Sequence, residues 1–487
     1  MSSSRHGTIL KSIHYTEQLQ QLFADLSGDY NPMHVDAVAA RRLMAGERVV
    51  HGIHQAFASL EAVLGWRGEG NPPGRAITHF KAEFLKPVVV GDTVDLYLAE
   101  TGEEGCRITS RIGEQAVSRV TVKFGAADRP ADAELPPLAA VPLVELSFAD
   151  LTNQAGSLVL GLDAPLAHRL FPLTAAALGT PGVAEILALS RLVGMHCPGL
   201  HSIFDQADMT LSDQGTTEPG LLHYRVEQTD ERLGSIAMAV DGHRWQGRLR
   251  VFFRPPPVQQ LNMAAVAGVV QAGSFAASTA LIIGGSRGLG EVTARIIAAG
   301  GGFPMITYFQ GRTDAEKVVE DIRSQGGRCE MMQLDVENCG ELIQQLHAGQ
   351  SAPKSLYYFA TPKIFGRRHG LFDHDRLDQF NRIYVTAFGR LLDALMAACP
   401  GKLRVFFPSS VAVTEGLGSM VEYAMAKTLA EEMCAFYNRQ SKKVEIRVER
   451  LPRTQTDQTN SLLAVPAADG LEVMFPIVRR METFSFE

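Results

Sequence analysis

The stretch from Thr279 to Gly290 reads TALIIGGSRGLG, and its reading decides the architecture of the C-terminal half. The run Thr279 to Ile283 is short, apolar and β-branched, as a buried strand is. The loop Gly284-Gly285-Ser286-Arg287-Gly288-Leu289-Gly290 follows it and opens a helical stretch, Glu291 to Ala299. That is the context a dinucleotide fingerprint requires. Glycines permit positive φ and let the backbone approach a pyrophosphate, and a helix N-terminus offers free N–H groups and a positive dipole end. A further apolar strand follows near Met305 to Tyr308, and strand–helix alternation continues to the region of Arg450. The pattern predicts a parallel sheet covered on both faces, a doubly wound α/β fold of Rossmann type.

Further along, Tyr423 and Lys427 form the string YAMAK. On a helix, i and i+4 share a face. An ammonium beside a phenol favours the phenolate, so the spacing predicts a Tyr423 acidified for proton donation. Ser410 follows the apolar run Leu403 to Phe407, where a hydroxyl can bond a carbonyl or a developing alkoxide. The glycine loop, Ser410, Tyr423 and Lys427, in this order, resemble the short-chain dehydrogenase/reductase family over residues 279–457. The resemblance implies a nicotinamide cofactor held by Gly284, Ser286, Arg287, Gly288, Leu289, Gly290, Arg312, Asp335, Ala360, Tyr423, Lys427, Pro452 and Thr456. It also implies catalysis by Ser410, Tyr423 and Lys427. The chain departs from the family where Asn-Asn-Ala-Gly becomes Tyr358-Phe359-Ala360-Thr361. It departs again where Tyr384 stands in place of an active-site asparagine. After the second strand the sequence reads Tyr308-Phe309-Gln310-Gly311-Arg312, with no acid before Asp314. Users of NAD place an acid there for the ribose hydroxyls. Arg287 and Arg312 suit a 2′-phosphate instead, so NADP(H) is the expected cofactor.

Toward the N-terminus, the chain reads FADLSGDYNPMHVD and then VVHGIHQAF. Asp29 and His34 are separated by a turn in which Pro32 biases Asn31 toward an extended shape. A carboxylate and an imidazole presented together can divide acid and base roles. Gly52 opens a helix whose free first amide suits a thioester oxygen. These strings resemble the MaoC-like, (R)-specific enoyl-thioester hydratase/dehydratase family, whose fold is the hotdog. The resemblance implies Asp29, His34 and Gly52 as catalytic groups, with Asn31 and His51 supporting the substrate.

The region from 10 to 125 reads as a helix, Gly52 to Trp66, followed by alternating strands around Phe80–Phe84, Val94–Leu98 and Val120–Phe124. The next region repeats the order: a helical Gly182 to Met195, then apolar stretches from Ile203, Leu221, Gly234 and Arg248, without an Asp-x-Asn-Pro-x-His equivalent. We read an internal duplication, an α+β double hotdog, with a linker at Ala126 to Pro142 and a break at Arg254-Pro255-Pro256-Pro257. The expected domains are 1–128, 141–254 (a degenerate repeat) and 277–487.

A chain of 487 residues exceeds one hydrophobic core. Net charge of −7 supplies no basic footprint for nucleic acid. The six cysteines form no close pair, so neither a metal site nor a disulfide framework is expected, and a reducing cytoplasm fits. No apolar run reaches the roughly 18 residues of a membrane span. The expected partners are acyl thioesters of coenzyme A or acyl carrier protein, and a homo-oligomer is expected from both resemblances. Both resemblances concern neighbouring oxidation levels of one substrate. They imply reduction of a 3-ketoacyl thioester followed by dehydration to the 2-enoyl form. The alternatives are the reverse pair, hydratase plus (3R)-hydroxyacyl dehydrogenase, and a hotdog dehydratase joined to an impaired nucleotide-binding scaffold.

Overall fold

The computed structural model describes residues 7–483 apart from 69–74, 127–133, 213–217, 341, 343, 345–351, 367–370, 400, 417 and 462–464. The chain forms two compact units, Met1–Pro256 with Ser461–Ala464, and Pro257–Asn460 with Val465–Glu487. The triple-proline segment therefore carries the boundary, and the second unit starts before residue 277, with a short helix at Met263–Ala267. The linker read at Ala126 to Pro142 lies partly outside the described residues.

The first unit is one ten-stranded antiparallel sheet. Its strands are β1 (Thr8–His14), β2 (Ala76–Phe84), β3 (Thr93–Thr101), β4 (Gly105–Ile112), β5 (Gln115–Gly125), β6 (Ala155–Val159), β7 (Ser202–Leu211), β8 (Leu221–Asp230), β9 (Ser235–Gly242) and β10 (Trp245–Phe253). The spatial order is β1-β3-β4-β5-β2-β7-β10-β9-β8-β6. Read inward from either edge, the two halves have the same order, and they join where β2 pairs with β7, Phe80 opposite Met209 and Ala82 opposite Ala207. All four of these side chains are buried, because period-2 alternation sends them to the covered face.

That face is covered by helices. Helix α1 (Glu17–Ser27) starts on the Thr16 hydroxyl, which accepts from the Leu19 amide, and ends at Gly28 in the left-handed region. Two short helices follow, α2 (Pro32–Val35) and α3 (Ala37–Ala40). Helix α4 (Gly52–Gly68) buries Ile53, Ala56, Phe57, Leu60 and Val63. Burying each large side chain contributes about 1.5–3 kcal/mol. After α5 (Ala164–Leu170), helix α6 (Pro172–Arg191) packs against α4 and runs into a π-helical turn, Leu192–His196. Gly179 departs from helical dihedrals, with φ 67° and ψ 165°, so a first helical segment from Pro172 ends in a kink there, and the segment that the sequence places from Gly182 lies just beyond it. The N-terminus of α6 is capped from the other half: Glu61 accepts from the amides of Leu173 and Thr174 and from the Thr174 hydroxyl. By length and composition Pro172–His196 is apolar enough to cross a membrane, but 78% of its apolar window is buried inside the unit.

The second unit is a six-stranded parallel sheet of β11 (Thr279–Ile283), β12 (Phe303–Tyr308), β13 (Glu330–Gln333), β14 (Ser355–Tyr358), β15 (Leu403–Ser410) and β16 (Val444–Leu451). The order β13-β12-β11-β14-β15-β16 is the 3-2-1-4-5-6 of a doubly wound nucleotide fold. Apolar side chains of β11 and β14 face two separate cores, one on each side of the sheet. Strand order reverses between β11 and β14, which opens a crevice at their carboxyl ends.

Candidate active sites

In the first unit, the end of α1 throws the chain directly into the site. Gly28 turns at φ 72°, Asp29 follows, and Asn31 caps α2 by accepting from the Met33 amide, with Pro32 at the first helical position. This brings His34 Nε2 to 3.9 Å from Asp29 Oδ2. The separation exceeds a direct hydrogen bond and leaves the two groups facing a common point. Both side chains are buried. His34 Nδ1 lies 2.6 Å from the Val49 carbonyl oxygen. A carbonyl only accepts, so Nδ1 carries the proton in the neutral ring and Nε2 turns its lone pair toward Asp29. Burial pushes the Asp29 carboxyl up, opposed by the His34 charge, the Ser190 hydroxyl and the Asn31 amide. Burial likewise holds His34 below its ordinary value, opposed by Asp29 and the Val49 carbonyl. The two shifts converge, which suits a pair sharing one proton.

Two residues that the sequence reading set beside the substrate are placed elsewhere. Asn31 is fully buried, and its amide donates to the carbonyls of Gly194, Gly199 and Leu200. His51 is fully buried as well; Nε2 lies 2.9 Å from the Asp29 carbonyl and its ring stacks on His34 at 3.8 Å. Asn31 holds backbone carbonyls and His51 holds the Asp29 carbonyl and the His34 ring, so both brace the dyad. Gly52 heads α4, and an added methyl there would meet the Phe84 ring at 2.7 Å, so only glycine lets that ring close over the first turn. Asp29, His34 and His51 offer ligand atoms within 4.8 Å of one another, a spacing a metal ion would accept, although the sequence reading expected none.

The second half of the sheet supplies what the sequence did not reveal. Ser190, on α6, donates to Asp29 Oδ2 at 2.7 Å across 161 residues of chain. Gly194, in the π-helical turn, lies against the same carboxylate: an added methyl would sit 2.2 Å from Asp29 Oδ1. Neither residue belongs to a local motif, so no sequence signal marks them.

In the second unit, the glycine loop joins β11 to the helix Gly288–Ala299. Gly284 and Gly288 have φ of 76° and 59°, and a methyl on Gly290 would strike the Gly284 carbonyl at 2.2 Å. Only glycines allow that tight strand-to-helix turn, and the first-turn amides it leaves uncovered suit a pyrophosphate. The loop lies beside Ala360, whose amide is 3.3 Å from a methyl built on Gly284, and beside Thr456, 3.5 Å from one built on Gly288. Ser286 is buried, Leu289 is half-buried, and Pro452 and Asp335 are exposed near the carboxyl ends of β16 and β13. The residues present therefore fit a dinucleotide. The two arginines are less simply placed than the sequence suggested. Arg312 heads the helix Arg312–Ser324, exposed and paired with Glu316 at 2.8 Å. Arg287 Nη1 lies 3.4 Å from the buried Asp457.

Ser410 ends β15, and Tyr423 and Lys427 lie on the helix Val421–Gln440. Burial pushes the Tyr423 phenol up to about 12, and the hydrogen bond with Ser410 opposes the rise. The expectation that Lys427 acidifies the phenol is corrected. Its ammonium nitrogen donates to the Pro408 carbonyl at 2.7 Å and lies 5.8 Å from the Tyr423 ring centre, but 3.8 Å from that of Tyr384. Burial lowers Lys427 to about 7. Tyr384 sits in a π-helical turn, Arg382–Ala387, fully buried, with its hydroxyl 2.5 Å from Thr361 Oγ1. Such turns recur at functional sites.

Fold and sites together define a chain of two enzyme-like units, one with a buried carboxylate–imidazole pair and one with a glycine-loop crevice and a Ser–Tyr–Lys cluster. Residues 5–122 match the family described as MaoC like domain. Among similar proteins, the (R)-specific enoyl-CoA hydratase of Rhodospirillum rubrum is 40% identical over 81 residues, covering 17% of this chain and 54% of that one. The 3-oxoacyl-[acyl-carrier-protein] reductase of Synechocystis sp. is 38% identical over 71 residues, covering 15% of this chain and 29% of the relative. The matches thus span less than two thirds of either relative's length. The solved structure of the angucycline C-6 ketoreductase LanV with bound NADP is 18% identical, with a TM-score of 0.39, covering 44% of this chain and 92% of LanV.

Proposed function

We propose that the chain is a bifunctional enzyme that reduces 3-ketoacyl thioesters to (R)-3-hydroxyacyl thioesters with NADPH and dehydrates these to trans-2-enoyl thioesters. The observation that carries the reading is the presence in one chain of two acid–base clusters, buried Asp29 with His34, and half-buried Ser410 with buried Tyr423 and Lys427. Similarity to an enoyl-CoA hydratase and to a 3-oxoacyl reductase, two activities that meet at a 3-hydroxyacyl thioester, supports it. The domains are a double hotdog, 1–128 and 141–254, and a reductase unit that starts at Pro257 rather than at 277; the mirrored strand order of the first unit favours the duplication.

In the reduction, the glycine loop Gly284–Gly290 would hold NADPH, which when bound would supply hydride to C3. Tyr423 gives its proton to the carbonyl oxygen, Ser410 orients that oxygen, and Lys427 holds positive charge behind the phenol. In the dehydration, His34 takes a C2 proton through its Nε2 lone pair. The Asp29–His34 pair returns a proton to the C3 hydroxyl, which leaves as water. The Gly52 amide stabilises the enolate-like oxygen, a donor worth roughly 3 kcal/mol at about 3 Å. Coenzyme A and acyl carrier protein are the carriers the reading allows. We also place the protein in the cytoplasm as a homo-oligomer, for which the exposed Met425, Leu429 and Phe436 along one helix provide apolar surface.

Acetoacetyl thioesters on both carriers, incubated with NADPH and resolved by mass, test the reading. Sequential appearance of the 3-hydroxy and 2-enoyl products is expected. NADPH binding without reduction of any 3-ketoacyl thioester would reduce the second unit to a scaffold, and oxidation of 3-hydroxyacyl thioesters alone would reverse the direction. The scaffold reading is favoured by one observation, Tyr384 where the resemblance leads one to expect asparagine.

A further inference from the structure

Lys427 is buried among groups that offer it little charge compensation. Its ammonium donates to the Pro408 carbonyl, and otherwise the ring centres of Tyr384, Phe407 and Tyr423 surround it at 3.8, 4.6 and 5.8 Å. The nearby acid, Glu431, is held by the Ser409 hydroxyl and by Arg450. A cation within about 6 Å of an aromatic face is attracted by the ring quadrupole, most strongly where water is absent. Tyr384 is nearest, and its orientation is fixed twice over. The hydroxyl bonds Thr361 Oγ1, and the ring stacks on Phe380 at 5.8 Å with an interplanar angle of 4°.

We propose that Tyr384 is a positioning residue: its ring face holds the Lys427 ammonium in the buried cluster, the bond to Thr361 locks that face in place, and the departure from asparagine thereby preserves a charged lysine behind Tyr423. This rests on the reading of Ser410, Tyr423 and Lys427 as reductase groups. The titratable groups facing Lys427 are Tyr423, Glu431 and Cys434 on its own helix and Tyr384 on the π-helical turn. Glu431 and Cys434 favour the ammonium but are outweighed by burial, which leaves the ring faces and Pro408 to hold it.

The test uses the full chain and three proteins: wild type, Tyr384→Phe and Tyr384→Leu. Phe keeps the ring and loses only the Thr361 bond, whereas Leu removes the face. Two readouts are taken. The first is kcat and KM for acetoacetyl-CoA reduction from pH 5.5 to 9. The second is the rate at which Lys427 is acylated by acetic anhydride, followed by peptide mass, which needs no turnover. Tyr384→Leu is expected to lose about tenfold in kcat with little change in KM, and its alkaline limb moves to lower pH because the ammonium loses its support. Lys427 in this variant is expected to acylate about tenfold faster at pH 6. Tyr384→Phe stays within about threefold of wild type in both readouts. Equal acylation of Lys427 in wild type and Tyr384→Leu, or equal damage by Phe and Leu, overturns the proposal. A wild type that reduces nothing yet shows the expected acylation pattern overturns the reductase reading and leaves the cage intact. Thermal unfolding of each variant separates a misfolded Leu variant from a specific effect, and Tyr384→Met is then the substitute that fills the space without a ring.

Discussion

The Asp29 pocket and the Lys427 pocket both take an ionisable group out of water, and they compensate it by opposite means. The Asp29 carboxylate receives an O–H from Ser190 and an N–H from Asn31. The Lys427 ammonium receives one carbonyl and a set of ring faces. Charge-assisted hydrogen bonds from fixed donors are directional, so they set where the carboxylate oxygens point. Ring faces are broad and hold charge without fixing a proton path. The comparison teaches that a shifted ionisation has a different meaning in the two pockets. Burial drives the shift in both; in the first it is opposed by the His34 charge and by directional donors, in the second by the charges of Cys434 and Glu431 on the same helix.

The sharpest way to break this contrast is to remove the groups at its centres. Asp29→Asn is expected to lower hydration of crotonyl-CoA by about a thousandfold while leaving reduction intact. Unchanged hydration would remove the dyad from the mechanism. Tyr423→Phe is expected to lower reduction about a hundredfold or more while crotonyl-CoA hydration continues; a joint loss would mean the two activities do not divide between the units.

Smaller effects sharpen it. Ser190→Ala deletes a donor to the carboxylate, so the ionised form of Asp29 loses support and its pKa rises further. The acid limb of the hydration profile should then move up by about one pH unit, with kcat falling about tenfold at neutral pH. Ser190→Thr, which keeps the hydroxyl, should restore the wild-type profile. A profile that does not move in the alanine variant would make the contact merely structural. Smallest are the arginines: Arg287→Ala should raise the Kd for NADPH several-fold more than Arg312→Ala does, because both are paired with an acid but Arg312 is exposed while Arg287 is half-buried in the glycine loop. Equal effects, or tighter binding of NADH than of NADPH by wild type, would undo the cofactor assignment.

Much of this was legible in the residues themselves. Gly284, Gly288 and Gly290 announce a strand-to-helix turn because no other residue tolerates those dihedrals and approaches. Asp29, Pro32 and His34 are close in the chain, so a local turn is enough to bring the pair together. Alternation and helical spacing, likewise local, marked the strands of the first half and the helix from Gly52. Three things were not legible. The helical segment from Pro172 to the Gly179 kink went unread, since Gly179 and Pro181 punctuate the sequence there and the segment before them is held by packing. The brace on Asp29 comes from Ser190 and Gly194, far along the chain, and exists only because β2 pairs with β7 and sets α6 against α1 and α4. The charge state behind Tyr423 depends on which aromatic rings the folded core brings round Lys427, where spacing alone suggested an ammonium that acidifies the phenol. Short-range steric and hydrogen-bonding rules made the motifs readable one residue at a time. Desolvation and long-range packing, which depend on every neighbour at once, decided what those motifs face.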